Sequence, residues 1–139
     1  MASLNLVDAF AKFGAKAGVR AQSAIAADGA IVLNCASTYF GHHAEGVLRY
    51  QDRLSREAEK ARATVQLGEH ITRALDESLP VRPVIVSRTA MRGGKSSRTV
   101  HVRADLVGKV TSFDGDLFIV DFRRIPEPEK EKKAVGKRR

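Results

Sequence analysis

Gly108-Lys-Val-Thr-Ser-Phe-Asp-Gly-Asp-Leu-Phe-Ile-Val-Asp-Phe-Arg-Arg-Ile125 holds the densest apolar residues of the chain. Asp114-Gly115 sits between two β-rich runs, the strongest short-range signal for a hairpin. Phe113, Phe118, Val120 and Phe122 are expected on one face of that hairpin, with Val110, Leu117 and Ile119 on the other. Both faces are then apolar and both need cover. The sheet must curl, or an N-terminal helix must lie on its second face, or a second protomer must do so.

Working outward, Arg98-Thr-Val-His-Val-Arg103 alternates as a strand should. Val81-Arg-Pro-Val-Ile-Val-Ser87 is another strand, and Pro83 places an edge or a strand start there. Between them, Arg88 to Ser97 is polar, basic and glycine-containing, and reads as a loop. Leu67, Ile71, Leu75 and Leu79, with Ala74, form one buried stripe of a helix that Pro80 stops. Residues 53–63 are highly charged with alternating sign, which suits a solvated helix or connection.

Toward the N-terminus, Asp28-Gly29 marks a second hairpin. A two-residue turn there sets Ile25 opposite Val32 and Ala24 opposite Leu33. Thr38 to Gly46 reads as a loop, and Val47 to Gln51 as a third strand. Leu4 to Gly14 reads as a short helix capped by Ser3, with Leu6, Phe10 and Phe13 on one side. The expected fold class is α+β. It is a largely antiparallel, curled or two-layer sheet of about six to seven strands with two helices, in the order α-βββ-α-ββ-ββ. Residues 1–125 are expected to form a single domain, and 126–139 a disordered basic tail with almost nothing to bury.

The 139 residues carry a net charge of +8, unevenly spread. Residues 1–77 balance, 78–104 hold six bases and no acid, 105–122 are net −3, and 123–139 are net +5. Clustered positive charge favours an anionic partner, chiefly nucleic acid. The candidate phosphate contacts are Arg88, Arg92, Lys95, Ser96, Arg98 and Arg103. Tyr39, Phe40 and Tyr50 are the candidate stacking aromatics.

Catalytic and metal signals are weak. Gly93-Gly-Lys-Ser96 lacks both the upstream glycine and the following helix of a nucleotide-binding loop. His42 and His43 are adjacent, so their side chains point apart on an extended segment. Asp114 and Asp116 are turn formers. Cys35, the single cysteine, suits a small core residue. No cofactor and no metal is expected, and the balance leans away from an enzyme.

No stretch approaches the roughly 20 apolar residues that span a membrane. The first eight residues do not read as a secretory signal, so a cytoplasmic location is expected. The leading expectation is a small, basic, non-catalytic nucleic-acid-binding protein. The alternative is a protein-binding adaptor or inhibitor that meets an acidic protein surface, homodimeric and encoded by a mobile element.

Overall fold

The computed structural model describes residues 5–18, 21–56, 62–90, 92–94 and 96–125. The expected tail over 126–139 and the expected cap Ser3 lie outside the described residues. In chain order the elements are α1 (Leu6–Ala11), β1 (Ser23–Ile25), β2 (Ile31–Ala36), β3 (Phe40–Ala44), β4 (Val47–Arg53), α2 (Arg62–Glu77), β5 (Val81–Ala90), β6 (Ser96–Val102), β7 (Leu106–Phe113) and β8 (Leu117–Arg124). The protein is α+β, and its described residues form two α-helices and an open, mostly antiparallel sheet. Its strand order is β1-β2-β5-β7-β8-β4-β3, with β6 also paired to β5.

The eighth strand is β3, in the stretch expected to be a loop. Phe40, Gly41 and His42 pair with Tyr50, Arg49 and Leu48 of β4. Histidines and glycine obscured a strand that alternates only over a few residues. A second departure is that β2 and β5 run parallel, from Ile31↔Val81 to Ala36↔Val86. Local sequence carries no signal for a partner so distant.

The β7–β8 hairpin forms as expected, with one correction. Val110 lies opposite Val120, but Ser112 lies opposite Ile119. Thr111 is therefore an extra residue, a β-bulge that moves Val110 to the face of Phe118, Val120 and Phe122. All four are buried in one cluster with Leu67, Ile71 and Ala74 of α2. The stripe read from the sequence is thus the stripe that packs. Gly108 is part of this face, where an added Cβ would stand 2.6 Å from the Phe122 ring.

Helix α2 ends in a Schellman motif. The Leu79 N–H donates to Ala74 O at 3.0 Å, and Ser78 takes φ 54°.

The N-terminal helix provides the second cover. Asn5, rather than Ser3, caps it, its Oδ1 accepting from the Asp8 N–H at 2.8 Å. Leu6, Ala9 and Phe10 pack with Val32, Val84 and Val100 on the face opposite α2. Of the three covers considered for the second face, α1 therefore serves the β2–β5–β6 half.

Two further expectations need correcting. The Asp28-Gly29 loop is longer than a two-residue turn, because Ala26 N–H closes onto Ala30 O at 2.8 Å. The register becomes Ile25↔Ile31 and Ala24↔Val32. Pro83 lies inside the sheet rather than at an edge. It falls in the gap between Val84↔Val102 and Val81↔Gly108, where β5 changes partner from β6 to β7. A residue without an N–H fits there because neither partner asks for one.

Candidate nucleic-acid interface

The alternating strand pattern sets the geometry of the β5–β6 hairpin. Val84↔Val102 and Val86↔Val100 face α1, and the next cross-strand pair on that face is Arg88↔Arg98. The parallel partner β2 stops at Ala36↔Val86. Beyond that point, among the described strands, β5 and β6 pair only with each other, as a two-stranded ribbon. Gly93 and Gly94, with φ of 77° and 79°, reverse the chain at its tip. Strands on both sides of this turn leave no room for the helix of a nucleotide-binding loop.

Arg88 and Arg98 are both exposed. Among the described residues neither has a carboxylate at ion-pair distance. Two like charges directly opposite across a strand pair repel. Lys95 lies outside the described residues. The same holds for the side chains of Arg92 and Ser96, although their backbones sit at the tip and at the start of β6.

The other two bases of the block are engaged in the fold. Arg103 donates from Nε and Nη2 to the two carboxylate oxygens of Asp105, at 2.8 and 2.9 Å. That pairing holds the Asp105 carboxyl down at about 2, the guanidinium hydrogen bonds being the main cause. Arg82 donates to Ala104 O at 2.9 Å and lies 4.9 Å over the Phe13 ring. It clamps the segment after α1 to the corner between β6 and β7.

The three aromatics separate in the same way. Tyr50 is fully buried; its hydroxyl donates to Asp52 at 2.6 Å and accepts from the Ala36 N–H at 3.0 Å. Burial is the main cause that raises the Tyr50 hydroxyl pKa far above its ordinary value. Phe40 stacks into the core, 4.9 Å from the Tyr50 ring and 5.9 Å from Phe122. Only Tyr39 is left at the surface, 43% exposed.

The acidic residues of the β7–β8 turn are structural. Asp114 Oδ1 accepts from the N–H groups of Asp116 and Leu117 at 2.9 and 2.8 Å. Asp116 accepts from the Ser55 N–H and hydroxyl at 2.8 and 3.0 Å. Among the described residues, no cluster of three or more His, Cys, Asp or Glu side chains gathers to hold a metal ion. No described helix is long and apolar enough to cross a membrane.

One contact that sequence order did not disclose joins Ser23 Oγ to His70 Nδ1 at 2.7 Å. The register of β1 puts Ser23 opposite Leu33 and so toward α2. Ser23 is only 2% exposed, so this pair ties the edge strand to the helix. Burial lowers the His70 pKa, because it disfavours the charged ring.

No family model matches the chain, and no curated protein or solved structure matches it. The ribbon's own chemistry therefore carries the functional argument.

Proposed function

We propose that this protein binds nucleic acid without catalysis, gripping phosphates with the outer half of the β5–β6 ribbon. The observation that carries the reading is the Arg88↔Arg98 pair, exposed and opposed across the ribbon with no carboxylate at ion-pair distance among the described residues. A phosphate between two guanidiniums relieves their repulsion and takes charge-assisted hydrogen bonds from both. Arg92, Lys95 and Ser96 belong to the same basic segment of the sequence and would add to this grip, and the amides of Gly93 and Gly94 would supply neutral donors. Arg103 belongs to the base of the ribbon, where Asp105 already neutralises it. A two-stranded ribbon also has dimensions that a duplex major groove admits.

The test is fluorescence anisotropy with labelled oligonucleotides at several salt concentrations. If four ribbon cations meet phosphates, log K should fall against log salt with slope about −3.6 on duplex or about −2.8 on single strands. The double variant Arg88→Glu/Arg98→Glu should weaken binding and flatten that slope. Unchanged affinity, or no salt dependence, would sink the reading.

A second reading, an adaptor or inhibitor that binds protein, is favoured by a separate surface. On the face away from α2, Val107, Leu117 and Ile119 are half-buried, and α1 packs on β5 and β6 rather than over them. A homodimer seen by light scattering and lost in Ile119→Lys would support it.

A further inference from the structure

Between the turn Ser37–Tyr39 and strand β4 lies a cavity of about 700 Å³ lined by Thr38, Tyr39, Gln51, Asp52 and Arg53, among others. We infer that it receives one unpaired nucleotide of a strand held by the ribbon, so that the protein prefers single-stranded nucleic acid. This rests on the nucleic-acid reading above and adds the class of substrate.

Placement is the first support. The turn Ser37–Tyr39 continues directly from β2 and packs against β5. Because β2 and β5 are parallel and stay paired to Ala36↔Val86, Tyr39 stands where the ribbon leaves the sheet. The turn that carries Tyr39 is thus the link between the ribbon and the cavity wall.

Chemistry is the second. Tyr39 is the one exposed aromatic ring among the described residues, and it is on the cavity wall. A base can stack on such a ring whatever its identity. Gln51 offers an amide donor and acceptor, Thr38 a hydroxyl, and Asp52 a carboxylate already fixed by the Tyr50 hydroxyl. Arg53 is largely exposed and holds Asp116 through Nη1 alone, at 3.3 Å. Its other N–H groups can take a phosphate.

Size is the third. The volume lies within the usual range for small-ligand sites, roughly 300 to 1,000 Å³, and a nucleotide fits it. A base locked in a duplex cannot enter. Stacking on Tyr39 therefore separates single strands from duplex, whereas the ribbon arginines serve both.

The experiment compares wild type, Tyr39→Ala and Tyr39→Phe by anisotropy on a mixed-sequence 20-mer (about two helical turns as duplex), single-stranded and duplex, at two salt concentrations. Circular dichroism checks that each variant is folded. Tyr39→Ala should lose roughly 5- to 150-fold on the single strand, with duplex affinity and salt slope unchanged, and Tyr39→Phe should retain binding. An unchanged single-strand to duplex ratio in Tyr39→Ala would overturn the assignment, as would equal loss on both. Displacement of the single strand by micromolar AMP would make this a site for free nucleotides and overturn the strand-borne assignment. Absence of salt-dependent binding to any oligonucleotide would instead defeat the nucleic-acid reading itself.

Discussion

The β7–β8 and β5–β6 hairpins start from the same alternating apolar pattern and end in opposite roles. Strand β8 lies between β7 and β4, and Phe118, Val120 and Phe122 are buried against α2. Its turn is acidic and closes on itself, with Asp116 reaching across to Ser55. The outer half of β5–β6 has no third strand among the described residues, a glycine turn, and no acid anywhere in 87–99. Flanking partners thus convert one hairpin into core and leave the other available to a ligand. Binding residues gather where a rigid scaffold stops and the chain continues.

The sharpest way to break this contrast is to truncate a large side chain on each hairpin. Phe122→Ala should cost about 3–5 kcal/mol in urea unfolding, because the ring is fully buried and leaves a cavity. Arg88→Ala should stay within about 0.5 kcal/mol, since it is a surface change. Comparable costs would mean that the ribbon is as much a part of the core as β8.

Overpacking comes next. Gly108→Ala places a Cβ 2.6 to 2.9 Å from Phe122 and Val120 side-chain atoms, where the ring and the bulged strand are both held. A loss of about 1–3 kcal/mol is expected in the same assay. Gly94→Ala meets no atom within 4 Å and feels only its φ of 79°. It should cost less, roughly 1–2 kcal/mol.

Arg98→Glu should move stability and binding in opposite directions. Turning the Arg88↔Arg98 pair from like to opposite charge should stabilise the fold by about 0.2–1 kcal/mol. The same change should weaken oligonucleotide binding. Stability that falls along with binding would show that Arg98 has a structural partner.

The smallest effect is an acid titration. Backbone hydrogen bonds lower the carboxyl pKa of Asp114 and of Asp116 in the folded protein. Their contribution is therefore present above the ordinary carboxylate pKa and lost as pH falls through the depressed folded values. NMR amide shifts of Asp116, Leu117 and Ser55 should move in that acidic window, while those of Gly93 and Gly94 stay still. Movement at the glycines would place an acid near the ribbon tip.

What the sequence could disclose was local. The spacing of Leu67, Ile71 and Ala74 located the face of α2, and Asp114-Gly115 located the central turn. Cys35 is buried, as a small core residue should be. What escaped was relational. The bulge at Thr111 moves Val110 across the sheet, and no residue type announces it. Arg82 and Arg103 count as free charge in a linear tally, yet one clamps the β6–β7 corner and the other is paired with Asp105. Phe40 and Tyr50 lie on strands that face the core, whereas Tyr39 lies in the turn just before β3. The placing of Tyr39 against β5 follows from the parallel β2–β5 pairing, and that pairing is set by everything folded between them.

The position of β8 has a consequence for how the chain reaches its native state. Strand β4 is made early, but the neighbour that completes it, β8, is the last of the described strands. During synthesis the β4 edge therefore stays open until Leu117–Arg124 has emerged, and contacts this distant in sequence slow folding. An unfilled edge next to buried phenylalanine positions invites pairing with other chains. Assembly is consequently vectorial only in part. The β3–β4 hairpin waits for β8 while β1 and β2 need only β5, and a ribosome stalled before residue 117 would hold a half-sheet rather than a smaller version of the fold.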